Sequence, residues 1–229
     1  MIETAVDGDV TWVTLSRPDR RNAFTESGLR ALRSAVTEAE TPVVFLTGEG
    51  AAFSAGADLE VVGGLGREEA RAFAQLGQSV ATAIAEAEAV VVAGIDGPAR
   101  GGGVELALAC DVRVATPAAT FAETGVSLGL FGAWGGTARL PRVVGEGEAM
   151  DLALSGRTVD ADEALVMGLV SRVVDEPASV AEEIAGNDPA ALSVLKRRLR
   201  DDADRAVQHA READAFADLV ERNAGDISW

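Results

Sequence analysis

The chain has 229 residues, enough for one domain with a sizeable core, and its 48% hydrophobic and 25% charged residues are typical of a folded globular protein. The formal net charge of −17 argues against a nucleic-acid-binding protein. No apolar run reaches the roughly 18 residues of a membrane span, so no membrane partner is expected.

Two further features favour a cytoplasmic protein. The N-terminal residues lack the basic and then apolar pattern of a signal peptide, and the single cysteine, Cys110, excludes an internal disulfide framework. Lysine is also scarce, since Lys196 is alone among the 20 Lys and Arg residues. A GC-rich genome would explain the arginines. Adaptation to high salt would explain the many acids, because salt screens their mutual repulsion.

Apolar runs and their periodicity predict an α/β fold. The predicted elements, in chain order, are a β-hairpin over 1–16, a helix over 25–39, a strand over 42–47, a helix over 67–88, a strand over 90–95, a helix over 103–109, a strand over 112–115, helices over 150–154 and 161–165, and a strand over 170–174. This alternation favours layered sheets and helices. From residue 178 the chain is helical and strongly charged, so we divide it into a core, 1–177, and a C-terminal helical region, 178–229, with a role in oligomerisation.

Two glycine-rich runs carry the strongest sign of chemistry, 54–59 (SAGADL) and 101–106 (GGGVEL). Each follows an apolar, β-rich stretch and leads into a helix. Two such turns place two backbone N–H groups at one point, where they hold a carbonyl oxygen that becomes an oxyanion. Glu105, beside the second turn, is the candidate acid/base group. Its alternative role is that of an acid at a helix start, where it complements the helix dipole.

These runs belong to an ordered set that resembles the crotonase superfamily, the enoyl-CoA hydratase/isomerase family. The matching runs are 15–18 with 21–23, 46–48 with 53–59, 97–103 with 105–107, 109–111, 135–137 with 139–142 and 144–145, 155–157, and 168–170. One glycine-rich run would be weak support, because loops need glycine in any case. Several runs in the family's order, from residue 10 to 175, are strong support for the family and weaker support for one reaction.

The resemblance implies a spiral of ββα repeats, an acyl-CoA thioester as ligand, and homotrimers or homohexamers. Coenzyme A enters as part of the substrate, and no tightly bound cofactor is expected. The N–H groups of Ala57 and Gly102 are the implied oxyanion donors. The residues assigned to coenzyme A contact are Ala23, Ser54, Ala55, Asp58 and Leu59, with Arg17, Arg20 and Arg21 as phosphate contacts. That arginine loop is alternatively a solvated loop.

The second acid of the family's hydratases is missing. In these hydratases two glutamates flank the bound water, and the second follows a Phe-Gly-x-Pro-Glu motif; here that position is Gly125. One positioned acid/base group typically contributes about 10²–10⁴ in rate. Glu123 lies two residues earlier and shares a face with position 125 if the segment is extended. Glu123 is therefore either a partial replacement or, the interpretation we favour, a solvated surface acid.

The remaining candidate pocket residues are Gly125, Phe131 and Trp134. Phe131 and Trp134 are candidates for part of the acyl-pocket wall, and core packing is the equal alternative for both. No cluster of His, Cys and acids has metal-ligand spacing, so no metal is expected. A second basic cluster, 196–200, lies on a predicted helix. It either reaches coenzyme A of its own or a neighbouring subunit or, the interpretation we favour, pairs with Asp201, Asp202 and Asp204.

We therefore predict an enoyl-CoA hydratase-like lyase that uses the Ala57 and Gly102 N–H groups as an oxyanion hole and Glu105 as acid/base. Two alternatives stay open. Acyl-CoA decarboxylases of the superfamily keep an acid only at the first position, as this chain does. A non-catalytic acyl-CoA binding protein would keep the oxyanion turns and lose the acids. The C-terminal region is shorter than is usual in the family, which leaves the closure of the acyl pocket and the oligomer size open.

Overall fold

The computed structural model of the protein describes residues 1–225. Its strands are β1 (Ile2–Asp7), β2 (Val10–Leu15), β3 (Val43–Gly48), β4 (Val90–Ile95), β5 (Pro98–Arg100), β6 (Val112–Ala115), β7 (Thr120–Ala122), β8 (Val159–Asp160) and β9 (Arg172–Val173). Its helices are α1 (Glu26–Thr37), α2 (Leu59–Val62), α3 (Arg67–Glu86), α4 (Gly102–Ala109), α5 (Gly136–Val144), α6 (Glu146–Ser155), α7 (Ala161–Val166), α8 (Ala178–Ala185), α9 (Pro189–Leu199) and α10 (Arg205–Asn223). Short 3₁₀ helices cover Pro18–Arg20 and Thr124–Leu128. The last four residues of the predicted C-terminal region lie outside the described residues.

The larger sheet has six strands in the order β1-β2-β3-β4-β6-β9. The β1–β2 pair is antiparallel, which confirms the predicted hairpin, and the other pairs are parallel. All six residues of β4 are buried, as expected for a central strand of a parallel sheet covered on both faces.

The smaller sheet has the strand order β5-β7-β8, and its strands alternate along the chain with those of the larger sheet. Two parallel bridges, Phe24–Ala57 and Ser54–Ala99, continue it towards the N-terminus. Each turn of the chain therefore adds a strand to the larger sheet, then a strand or bridge to the smaller one, and then a helix. The run β4, β5, α4 is one complete turn, and β6, β7 and the following helices form the next. This is the ββα spiral that the resemblance implies.

The core occupies both faces of the larger sheet, because side chains alternate along each strand. On β3, Val44 and Leu46 face the main core with helices α1, α3 and α4. Val43 and Phe45 face a second core with Val180 of α8. The C-terminal region thus begins with a helix that packs on the sheet, whereas α10 has no buried residue. Within residues 1–225, no helix is both long and apolar enough to cross a membrane.

The basic cluster of α9 pairs differently from the prediction. Lys196 is buried, and its Nζ lies 2.8 Å from Asp111 Oδ2 and donates to Ala89 O at 2.8 Å. Arg200 also pairs with Asp111, at 2.8 Å. The predicted pairing within the C-terminal region is confirmed only for Arg198 with Asp201, at 2.9 Å. A buried ammonium needs a nearby carboxylate and carbonyls, and Asp111 with Ala89 supplies them on the sheet, so α9 is fixed to the core.

Candidate active site

The two glycine-rich turns touch each other at the edge of the smaller sheet. The Ser54–Ala99 bridge joins them, with Ser54 N–H donating to Pro98 O at 3.3 Å and Arg100 N–H donating to Ser54 O at 2.9 Å. Gly56 has φ +79°, and a Cβ at this position would lie 2.6 Å from Arg100 O and 2.7 Å from the Gly102 nitrogen. Only glycine permits both this backbone conformation and this approach.

The two predicted oxyanion donors follow from this contact. The flanks of Ala57 are fixed by Phe24, whose N–H donates to Gly56 O at 2.7 Å and whose carbonyl accepts from Asp58 N–H at 2.9 Å. Gly102 is the first residue of α4, at the positive end of the helix dipole. Among the described residues, neither the Ala57 N–H nor the Gly102 N–H has a hydrogen-bond acceptor. The structure therefore brings two free N–H groups to adjoining turns, as an oxyanion hole requires.

Glu105 lies one turn along α4 and is 1% exposed. Its Oε1 accepts two backbone hydrogen bonds, from Trp134 N–H at 2.8 Å and Gly136 N–H at 2.7 Å. Burial raises the pKa of Glu105, while these two donors and the charge of Arg139 oppose that rise. Within residues 1–225 no hydrogen bond reaches Oε2, so this oxygen is available to take up a proton.

The loop over 132–136 supports the Glu105 carboxyl group, and the sequence analysis did not predict this contact. A Cβ on Gly132 would lie 2.7 Å from Glu105 Cδ, and one on Gly136 would lie 2.7 Å from Glu105 Oε1. Both glycines leave room for the carboxyl group. The Gly-Gly-Thr run served only as a family motif in the sequence. Its contact with Glu105 spans about thirty residues, a separation that no local pattern reports.

Glu123 borders an apolar cavity of about 400 Å³. The cavity is lined by Glu123, Val126, Phe131, Gly132, Gly136, Thr137, Leu140, Pro141, Glu146, Ala149, Met150 and Ala153. Glu123 Oε1 is buried without a hydrogen-bond partner among the described residues. Burial, with a smaller contribution from the charge of Glu105, raises the pKa of Glu123 to about 8. The favoured sequence interpretation, a solvated surface acid, is therefore wrong for Glu123.

The three predicted pocket residues have different positions. Phe131 lines the cavity and is 71% exposed, so it is not a core residue. Trp134 is 3% exposed and packs edge-on against Phe24 and Phe73, so the pocket-wall prediction is wrong and the core alternative is confirmed. Gly125 does not line this cavity. It lies beneath Phe131, where a Cβ on Gly125 would be 3.1 Å from Phe131 Cα.

The predicted coenzyme A residues form a tightly bonded loop. Asp58 is 3% exposed, caps α2 and pairs with Arg17 at 2.7 Å, and the Arg17 hydrogen bond holds the pKa of Asp58 below its usual value. Arg20 pairs with Glu60 at 2.7 Å, whereas Arg21 is exposed and pairs with no carboxylate of the described residues. Two of the three predicted phosphate contacts are thus already neutralised by carboxylates.

Ser54 and its neighbours hold this loop to the oxyanion turn. Ser54 is fully buried, and its hydroxyl donates to Asn22 O at 3.0 Å, so the prediction of a ligand contact is wrong for this side chain. Ala23 is 7% exposed and its carbonyl accepts from Arg17. Ala55 N–H donates to Arg21 O at 2.8 Å. Leu59, in contrast to Ala23 and Ser54, is exposed, at 58%.

An acid beside two free N–H donors and an apolar cavity is an arrangement typical of enzymes that stabilise an oxyanion on an acyl substrate. The sequence model of the enoyl-CoA hydratase/isomerase family matches residues 6–222. The chain belongs to this family. It is 36% identical to a short-chain-enoyl-CoA hydratase of Clostridium acetobutylicum, over 93% of this chain and 86% of that protein. It is 37% identical to a crotonyl-CoA hydratase of Syntrophomonas wolfei, over 88% and 83% of the two chains.

Solved structures agree with this assignment. An enoyl-CoA hydratase from Bacillus anthracis superposes with a TM-score of 0.90 at 32% identity, covering 96% of this chain and 91% of that one. An enoyl-CoA hydratase from Thermoplasma volcanium gives the same TM-score and identity over 97% and 92%. The chain is thus an enoyl-CoA hydratase-like enzyme with the fold of this family.

Proposed function

We propose that the protein adds water to short-chain 2-enoyl-CoA thioesters, with the Ala57 and Gly102 N–H groups binding the thioester oxygen and Glu105 activating the water. One observation carries the proposal. The Glu105 carboxyl group accepts hydrogen bonds from the Trp134 and Gly136 N–H groups, and Glu105 lies on α4, whose first residue, Gly102, presents a free N–H to the neighbouring turn.

The chemistry follows from where charge develops. Addition of water to the β-carbon of an enoyl thioester moves an electron pair to the thioester oxygen. Two preorganised N–H donors stabilise that oxygen, and losing one such donor typically costs about 10²–10³ in rate. Glu105 takes the proton of the water through the oxygen that has no internal partner, so hydroxide reaches the β-carbon.

The substrate class follows from the cavity and from the relatives. The cavity of about 400 Å³ falls within the roughly 300–1,000 Å³ range of small-molecule pockets, and apolar groups such as Leu140 and Met150 dominate its walls. It accepts the acyl part of the substrate. The similar proteins are named for short-chain and crotonyl substrates, so a four-carbon enoyl group is the first substrate to test. Arg21, the arginine of the proposed coenzyme A loop that pairs with no carboxylate of the described residues, contacts a phosphate in this proposal.

Assembly is part of the same proposal. Apolar side chains on the C-terminal helices are exposed, with Leu199 at 78% and Phe216 at 69%. Exposed apolar residues of this kind support burial between copies of the chain, and the homotrimer or homohexamer in this proposal comes from the family resemblance. The cytoplasmic location stays a prediction.

The test is hydration of crotonyl-CoA, followed by loss of the enoyl absorbance, in low and in molar salt. We expect turnover by the wild type and a loss of about 10²–10⁴ in kcat for Glu105→Gln. Glu148→Gln, an exposed acid on α6, is the matched control and keeps the wild-type rate. Release of CO₂ from malonyl-CoA without hydration would instead establish a decarboxylase. Acyl-CoA binding without either reaction would establish a carrier, and both results would overturn the proposal.

A further inference from the structure

A second carboxyl group lies beside the proposed site and has no role in the hydration proposed above. Glu123 follows β7 directly, and its Oε1 is the one buried side-chain nitrogen or oxygen without a hydrogen-bond partner in the part of the chain that the structure describes. A buried polar atom without a partner costs stability, typically about 1–3 kcal/mol. An unpartnered buried group in a folded protein calls for an explanation, and a catalytic role is one of them.

Gly132 and Gly136 connect the cavity of Glu123 with the carboxyl group of Glu105. Gly132 and Gly136 line the cavity that Glu123 borders, and both are in close contact with the Glu105 carboxyl group. The absence of side chains at these glycines brings the two acids to one region. The charge of Glu105 contributes to the raised pKa of Glu123, as expected for two neighbouring carboxyls.

The two acids have different surroundings. Two N–H donors hold Glu105 Oε1 and stabilise its carboxylate form, whereas Glu123 Oε1 has no donor among the described residues, and Glu123 borders a cavity with mainly apolar walls. A pKa of about 8 keeps Glu123 protonated at neutral pH. Pairs of carboxyls in contrasting environments divide into an acid and a base.

We propose that Glu123 is the proton donor of this site and protonates the α-carbon, while Glu105 is the base. This role rests on the proposed hydration. Glu105 carboxylate removes one proton from water as the hydroxide oxygen bonds to the β-carbon. The electrons of the double bond form the enolate, whose oxygen is held by the two N–H groups. The enolate then collapses to the thioester carbonyl as the α-carbon takes the proton of the Glu123 carboxyl. The net addition is one water, and transfer of the proton from Glu105 to Glu123 through solvent restores the site.

The surroundings of Gly125 explain why the acid stands at 123. Leu130 N–H donates to Gly125 O at 2.9 Å, and the Leu130–Phe131 backbone lies directly over the Gly125 Cα. A side chain at 125 would press on this backbone. The loop thus fills the space at the family's second-acid position, while Glu123 faces the cavity.

The first test compares the pH dependence of crotonyl-CoA hydration in three proteins. We expect the wild-type rate to fall as the pH rises through about 8, where Glu123 loses its proton. Glu123→Gln should lose about 10²–10⁴ in kcat and lack this alkaline fall. Glu123→Asp should recover part of the rate and the alkaline fall, which a purely structural role would not produce. Glu148→Gln should behave as the wild type. A Glu123→Gln enzyme with unchanged kcat and pH profile would overturn the role of Glu123 and leave the proposed hydration intact.

The second test does not need hydration. Exchange of the α-hydrogens of butyryl-CoA in D₂O requires only the oxyanion hole and the group that serves the α-carbon. Above pH 8, where Glu123 is ionised and can remove an α-hydrogen, we expect exchange in the wild type and in Glu105→Gln, and its loss in Glu123→Gln. If the wild type fails to hydrate crotonyl-CoA but shows this exchange pattern, the hydration proposal fails and the role of Glu123 stands. Exchange that is absent from the wild type, or that depends on Glu105 and not on Glu123, would overturn it.

Discussion

Substitution of Gly56 by alanine should separate the two oxyanion turns. A Cβ there would lie 2.7 Å from the Gly102 nitrogen, whereas ordinary van der Waals contact begins near 3.4 Å, so the turns must move apart by about 0.7 Å. Productive geometry is held within about 0.5 Å, and a lost oxyanion donor costs about 10²–10³ in rate, or about 2.7–4 kcal/mol. Overpacking adds about 1–3 kcal/mol of destabilisation, and the left-handed backbone adds about 1–2 kcal/mol.

The assay is steady-state hydration of crotonyl-CoA together with thermal unfolding. We expect kcat for Gly56→Ala to fall by 10²–10³ and the unfolding midpoint to fall by about 2–4 °C for each kcal/mol lost. Gly8→Ala is the matched control, because Gly8 has φ +55° but no atom within 4 Å of its Cβ position, so it carries the backbone cost alone. A Gly56→Ala enzyme with the kcat of Gly8→Ala would refute the placement of the oxyanion hole between these turns.

Two further substitutions test the ion pairs that support the site. Asp58 has its pKa lowered from 3.8 by Arg17, so the stability it contributes is complete above pH 3.8 and is lost as the pH falls through the lower folded-state value. Thermal unfolding at a series of acidic pH values should therefore show a steep loss of stability in the wild type and a flatter one in Asp58→Asn; parallel curves would contradict this. Lys196→Met removes one of the two cationic partners of Asp111, with Arg200 remaining, and should lower the free energy of unfolding by about 1–3 kcal/mol in a urea titration, with kcat unchanged. An unchanged urea midpoint would contradict the proposed anchoring of α9.

The long elements were predictable because their signals are local. The strand predicted over 90–95 matches β4, and the helix predicted over 67–88 matches α3 to within two residues. The strands of the smaller sheet were missed, because segments of two or three residues such as β8 carry no measurable periodicity. Helix α5, which contains Pro141, was also missed.

The candidate site, like the fold, could be predicted only in part from the sequence. The position of Glu105 on a helix after a glycine turn follows from neighbouring residues. The burial of Glu123 does not, because it depends on the loop near Phe131 that folds back over the segment. The same loop places the Trp134 side chain in the core, and the Trp134 backbone N–H donates to Glu105 Oε1. Arg17 and Asp58, forty-one residues apart, form a pair that only the packed turns reveal.

The most direct test of the proposed oxyanion hole is the carbonyl stretch of bound butyryl-CoA, labelled with ¹³C at the thioester carbon, in difference infrared spectra. Two N–H donors polarise the carbonyl, so we expect the band to shift to lower frequency on binding to the wild type and to Gly8→Ala. In Gly56→Ala the shift should shrink, because the donors at Ala57 and Gly102 no longer meet the oxygen together. A bound thioester that keeps the carbonyl frequency it has in water would contradict the oxyanion hole and, with it, the proposed hydration.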